Sequence, residues 1–462
     1  MSWSTMRFLF VLSVLIVINV VLSHEVNYEN YKVYKVYIED DAARDNFLTI
    51  QKQIPDLDIW GENRDTRSLD VMVSPTKEVE FTGLLRKYGI SQEITTNNVE
   101  GLLKSSSSQV NTRSVELNWT SYHNYDVIYS WFDSLAELYP ENVTTFVAGY
   151  SYLGAEIKGI RIQLRENATR VAVIDGGIHA REWISIATAT YIANQFLTTT
   201  NSTIRAAAEE VIWYILPVLN PDGYNYTIYV DRMHRKNMQV NESVDCSGYS
   251  GGSGIGVDLN RNFAFYWMAN GGASSYPCSV QYAGPYPFSA PESQAFRSFI
   301  GGISENLDLY LTLHSYSQLI LFPYGHTTQP LDNYYEQYTI GRMAADAIES
   351  NSGRKYIVGN SAEAIYISTG GSDDWVKGTF GTRLVYTYEV RDTGTYGFLL
   401  PPDQIIDTAE EVLASIPVLV QQLIRLDTWS TTRPISSSAN NPSLNLLLLL
   451  SIVISAVLYI KL

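Results

Sequence analysis

The sequence predicts an α/β fold: a mixed, mostly parallel sheet flanked by helices, preceded by a small ferredoxin-like α+β domain. Three observations carry this. From Val115 onward strand-like and helix-like segments alternate, the order that builds a sheet covered on both faces. Before it, six segments run strand, helix, strand, strand, helix, strand, the plan of a small open sandwich. Between the two lies a serine-rich stretch of linker composition.

In the first part, Tyr31 to Glu39 alternates tyrosine and valine with lysine, the period of a half-buried strand. A helix follows from Asp41 to Lys52, then short strands at Leu57 to Trp60 and Leu69 to Val73, a helix from Thr76 to Tyr88 and an extended stretch at Ile90 to Thr95. Gly101 to Arg113, with Lys104 and four consecutive serines, reads as an exposed, protease-accessible linker. Residues 24–113 are therefore expected to form a cleavable pro-segment including its linker, cut at Arg113 or, alternatively, at Lys104. Residues 114–430 form the main domain. Its strand candidates are Thr145–Ala148, Glu156–Leu164, Arg170–Ile174, Val211–Val218, Leu307–Leu313 and Arg383–Glu389. Helices fit Tyr125–Leu138, Trp183–Leu197, Pro291–Ser304, Asn333–Ser350 and Thr408–Leu426.

The two ends speak of compartment. Residues 1–23 carry Arg7, an apolar run and compact residues before the expected cut, a secretory signal peptide. Asn-x-Ser/Thr sequons at Asn118, Asn142, Asn167, Asn201, Asn225 and Asn241 agree with export. For Cys246 and Cys278 one disulfide is the economical assignment in an oxidising compartment, a buried reduced pair being the alternative. Residues 431–462 read as a polar stalk and a C-terminal apolar run, Leu446 to Ile460, followed by Lys461 and Leu462 alone. Small residues Ser436 to Ala439 upstream make this the pattern of a GPI attachment signal. A retained membrane anchor competes with it, although the run falls short of the about 20 residues a span needs. A secreted monomer tethered to the outer cell surface through this tail is the expectation. The net charge of −16 argues against a nucleic-acid partner.

The chemistry centres on Asp175-Gly-Gly-Ile-His-Ala-Arg-Glu-Trp183, which sets an imidazole, a guanidinium and a carboxylate within four positions of a strand-to-helix turn. Imidazole nitrogen and carboxylate oxygen are zinc ligand types, and a catalytic site takes three protein ligands and keeps one position open. His-x-x-Glu alone is weak. His314, at the end of the strand from Leu309, is the natural third ligand, because His123, His234 and His326 read as ordinary surface residues. In open α/β sheets ligands gather at the carboxyl ends of the strands, where His179, Glu182, His314 and Glu389 all fall.

At this point the chain resembles the zinc metallocarboxypeptidases of the digestive A/B type. The resemblance extends to about Leu426 and rests on separated motifs: Asp175 to Trp183, His234 to Asn237, Val257 to Phe263, His314 to Gln318, Ile365-Tyr366, Gly370 to Trp375 and Tyr388 to Gly394. It implies a metallocarboxypeptidase-like sheet and one Zn2+ per chain held by His179, Glu182 and His314. Glu389 would be the general base and Arg235 the stabiliser of the developing oxyanion. Asn260 and Arg261 would hold the substrate's terminal carboxylate, aided by Tyr366, with Tyr316 also binding substrate and Arg181 steering it further out. Asp258 would fix the tautomer of His179.

Asp373 falls where the family's B type carries an acid at the pocket floor and its A type an apolar residue. With Gly325, Ser361 and Ser368 as small walls, this implies an exopeptidase for C-terminal Arg and Lys, made as a zymogen and activated by a trypsin-like protease. An A-type enzyme for apolar ends, and a catalytically silent tethered binding homologue, are the alternatives. The segment Met238 to Gly256 is longer than the family's usual one and leaves the partner of Cys246 less secure.

Overall fold

The structure, a computed structural model, describes residues 26–54, 57–63, 66–106, 116–241, 244–246 and 255–432. The chain divides into two compact units, Met1–Val420 and Gln421–Leu462. The signal peptide, Arg113 and the C-terminal apolar run lie outside the described residues. Among the described residues no helix is long and apolar enough to cross a membrane.

The first domain is the expected sandwich. Its elements are β1 (Lys32–Tyr37), α1 (Asp41–Gln53), β2 (Asp58–Asn63), β3 (Ser68–Val73), α2 (Glu78–Lys87) and β4 (Gln92–Thr96). The strands pair antiparallel in the order β2-β3-β1-β4, and Asp40 starts α1 by accepting from the amide of Ala43 at 2.7 Å. One expectation fails: the start of the linker is helical, α3 (Val99–Ser106), with Val99 buried and Lys104 exposed. Buried Val99, together with Leu102 and Leu103, gives that stretch an apolar face to pack, which the serines that follow conceal in the sequence.

The main domain has an eight-stranded sheet. In chain order come α4 (Tyr125–Leu138), β5 (Val143–Tyr150), β6 (Glu156–Ile162), β7 (Val171–Asp175), α5 (Trp183–Thr198), α6 (Ser202–Glu210), β8 (Ile212–Leu216) and α7 (Pro221–Tyr229). Then follow α8 (Pro291–Ile303), β9 (Leu307–Ser315), β10 (Leu319–Phe322), α9 (Tyr334–Ser352), β11 (Ile357–Asn360), α10 (Ser361–Ala364), α11 (Ser372–Phe380), β12 (Leu384–Val390) and α12 (Ile405–Thr432). The sheet order is β11-β10-β12-β9-β7-β8-β6-β5. At its centre β12, β9 and β7 run parallel, with Glu389 beside His314 and Asp175 beside Thr312. Their carboxyl ends therefore open on one edge, and that register positions the site.

α5 has buried residues on all sides, so its apolar run shows no amphipathic stripe; it is an inner helix against β8 and β9. Beneath the loop carrying Asn260 and Arg261, the fully buried Phe263 packs against the rings of Phe288, Phe296 and Trp375 at 5.6, 5.9 and 5.4 Å. Truncating Phe263 to alanine should cost about 3–5 kcal/mol of stability, against about 0.5 kcal/mol or less for Tyr335→Ala on the exposed flank of α9. Denaturant midpoints measure both; equal losses would contradict this core assignment.

Candidate metal centre and substrate pocket

His179 and Glu182 sit in the turn between β7 and α5, and His314 near the end of β9. All three side chains are buried, and one ligand atom from each lies within 4.8 Å of the others. The Nδ1 atoms of His179 and His314 face each other at 3.2 Å. Glu182 spans them, Oε1 at 2.8 Å from Nδ1 of His179 and Oε2 at 3.0 Å from Nδ1 of His314. On its far side His179 donates from Nε2 to Oδ1 of Asp258 at 3.2 Å, which leaves Nδ1 as a bare lone pair turned inward.

Two inward imidazole nitrogens and a carboxylate, all out of water, demand one positive charge between them. Burial and then Arg235 push His179 down toward its neutral form. Burial opposes charge on His314 as well, but the Glu182 carboxylate overrides it and lifts the imidazole to about 9. The cluster thus draws a cation to the spot where the three ligand atoms converge, and the donor set is one that zinc takes.

Around this cluster burial acts against Asp258, yet Arg235 and His179 hold its carboxyl well below the usual range. Arg235 donates to Oδ2 of Asp258 from Nε and Nη2, at 3.1 and 3.0 Å, which fixes the guanidinium beside Glu182. Glu389 lines the same pocket; burial pushes it up to about 8, while His314 and, beyond it, Arg235 and Arg261 pull it back. Arg261 donates to the hydroxyl of Tyr366 at 3.2 Å, and Asn260 accepts from the amide of Ser372 at 2.9 Å. Asp373 is buried at the pocket floor and accepts from Thr387 at 3.1 Å. Burial, and next the neighbouring Asp374, raise its carboxyl to about 6.

Two residues expected to meet substrate meet the first domain instead. Arg181 is fully buried and paired bidentate with Asp58 of β2, at 2.5 and 2.9 Å, under the ring of Phe398. Tyr316 donates to Asp70 of β3 at 2.9 Å. Ile59, Trp60 and Gly61 of the same domain roof the pocket. Nothing in β2 taken alone signals this, because its partners are fixed only when the domains dock.

His123, His234 and His326 are buried rather than superficial: His234 meets the ring of Tyr226 edge to face, and Nδ1 of His326 lies 3.1 Å from Asp374. Ser361 and Ser368 line the pocket, whereas Gly325 stands behind Ser368, accepting from its amide at 2.9 Å. Thr387 also lines the pocket; standing two positions before Glu389 on one strand, it shares that residue's face. Cys246 and Cys278 are bonded, with Cα atoms 5.5 Å apart, so the longer intervening segment does not displace the pair.

A mixed sheet whose parallel strand ends gather two imidazoles, a carboxylate and a pocket defines a single-metal site of the catalytic kind. Comparison with known proteins specifies it. The profile described as zinc carboxypeptidase matches residues 128–415, and that described as carboxypeptidase activation peptide matches residues 34–106. A zinc carboxypeptidase of Simulium vittatum is 43% identical over 312 residues, 67% of this chain and 99% of its own length. Carboxypeptidase B of Astacus astacus is 43% identical over 304 residues, 66% and 97% of the respective chains. Among solved structures, carboxypeptidase A of Helicoverpa armigera superposes with a TM-score of 0.77 at 29% identity, covering 86% of this chain and 98% of that one. The chain belongs to the zinc carboxypeptidase family and carries the family's activation peptide.

Zinc is accordingly its cofactor. Dialysis of the activated protein against a chelator should abolish peptidase activity, and zinc added back in slight excess should restore it. Activity that survives complete metal removal would rule this cofactor out.

Proposed function

We propose that the protein is an exopeptidase that removes C-terminal Arg and Lys from peptides and proteins, released from a zymogen by a trypsin-like protease cutting after the pro-segment, residues 24–113. The observation that carries the specificity is the buried carboxylate of Asp373 at the pocket floor, with the small residues Ser361 and Ser368 beside it. An acid buried with only the Thr387 hydroxyl and a backbone amide of Asp374 as donors is still costly, and a cationic side chain entering the pocket offsets that cost.

In this reading His179, Glu182 and His314 hold the zinc, which when bound supplies a nucleophile at neutral pH by lowering the pKa of a water to about 7. Glu389 takes the proton of the attacking water and returns it to the leaving amine. Arg235, held by Asp258, stabilises the charge that develops on the carbonyl oxygen. Asn260 and Arg261, with Tyr366, clamp the terminal carboxylate, and Asp258 keeps the far nitrogen of His179 protonated. Arg181 and Tyr316 contact residues further from the chain end once the pro-segment leaves. We further propose that the C-terminal tail tethers the secreted enzyme to the cell surface as a glycolipid anchor; release by a phosphatidylinositol-specific phospholipase tests it.

An A-type preference for apolar ends is the competing reading, and Asp373 separates the two. In Asp373→Ile, kcat/KM for substrates ending in Arg should fall at least about 100-fold relative to those ending in Phe, the equivalent of about 3 kcal/mol for one lost buried partner. In the unmutated enzyme the same Arg-to-Phe ratio should decline as pH falls through about 6, because Asp373 is charged above that value and neutral below it. Taking the ratio removes effects of Glu389 common to both substrates. A ratio favouring Phe in the unmutated enzyme would overturn the assignment.

The zymogen contact has its own test. Asp58→Asn leaves Arg181 buried without its charge partner, a loss of about 3–5 kcal/mol for such pairs. The uncleaved protein should then gain activity by about tenfold or more, while the trypsin-activated enzyme stays unchanged. If the uncleaved variant remains as silent as its parent, Asp58 is not part of the lock.

A further inference from the structure

Six sequons occur in the chain, and the fold treats them differently. An N-linked glycan leaves through the side-chain Nδ2, so that nitrogen must face solvent in the folded protein and have no internal partner. Asn167 stands exposed on a turn between β6 and β7, with Thr169 of its sequon exposed as well. Asn201 is exposed at the start of α6, and its Oδ1 accepts from the amides of Thr203 and Ile204 at 2.9 and 3.4 Å. That cap uses the oxygen alone, so Nδ2 can carry a sugar with the helix start intact.

Asn142 and Asn225 are placed otherwise. Asn142 donates from Nδ2 to the carbonyl of Gln163 at 3.0 Å, while Gln163 donates back to the carbonyl of Asn142 at 2.8 Å, closing the hairpin of β5 and β6. Asn225 is half-buried within α7, which packs against α4, and Thr227 of its sequon is buried and accepts from the indole N–H of Trp183 at 2.9 Å. Asn118 is half-buried in its own turn, and Asn241 flanks residues outside the described set; neither enters the inference.

We propose that Asn167 and Asn201 carry N-linked glycans and that Asn142 and Asn225 are unmodified. The topology supports the choice a second time. Asn167 lies on the loop entering β7, and Asn201 follows the end of α5, the helix that returns from the site. Both therefore sit at the pole of the sheet opposite His179 and Glu182. The loop and α6 are tied together there by the ion pair of Arg165 with Glu210 at 2.6 Å. Sugars at that pole hydrate the surface and leave the substrate entrance and the pro-segment uncovered.

The inference rests on passage through an oxidising secretory route, for which the Cys246–Cys278 disulfide is the independent marker. The test is to secrete the full chain from eukaryotic cells, remove N-glycans enzymatically in heavy-oxygen water, and map the labelled aspartates and the disulfide by peptide mass spectrometry. Label at Asn167 and Asn201 is expected, with none at Asn142 or Asn225. Thr169→Ala and Thr203→Ala, which spare both asparagines and the cap, should each remove one glycan step on a gel and leave kcat/KM of the activated enzyme unchanged. Lack of label at either proposed site in disulfide-bonded protein, or label at Asn142 or Asn225, overturns the geometric argument; a reduced Cys246–Cys278 pair overturns the premise of the route.

Discussion

Everything at the site depends on a positive charge shared by three groups taken out of water. Glu182 is held between the inward nitrogens of two imidazoles, at 2.8 and 3.0 Å, in a place where no solvent screens them. A buried carboxylate is tolerable only when matched, and two lone pairs pointing at each other are tolerable only around a cation. Zinc meets both needs at once. The parallel register of β7, β9 and β12 exists, in functional terms, to bring these groups to one point and to set Glu389 beside it.

The pro-segment uses the same physics in reverse. It presents two carboxylates, Asp58 and Asp70, to Arg181 and the hydroxyl of Tyr316 in the main domain. Around them Trp60, Met72, Tyr316 and Phe398 form an apolar seam. Association thus joins charge pairing, which is strong only while dry, to hydrophobic burial that keeps it dry. On the activation proposed above, cutting the linker would let the detached domain dissociate, and water reaching Asp58 would weaken the pair.

Much of this was legible in the residues alone. Helices such as Tyr125–Leu138 follow from apolar period because they bury one face, and the central strands β7, β9 and β12 from short continuous apolar runs, because they are buried on both faces. Convergence of His179, Glu182 and His314 followed from strand-end placement once the motifs were combined. What stayed hidden has physical reasons. The strands β10 and β11 have four residues each, too few for a period to show, and α7 opens Asn-Pro-Asp-Gly, which reads as a turn. The burial of His234 and His326 depends on Tyr226 and Asp374, partners remote from any local pattern or masked by it. The engagement of Arg181 by Asp58 joins residues 123 positions apart across two domains, and no local signal announces it.

The most direct measurement is the metal content of the purified chain and of Glu182→Gln, by elemental mass spectrometry after exhaustive gel filtration. The account predicts roughly one zinc per chain in the parent and well under one in the variant, because an amide keeps the shape but not the charge that the imidazole pair requires. Stoichiometric zinc in Glu182→Gln, or none in the parent, would contradict it.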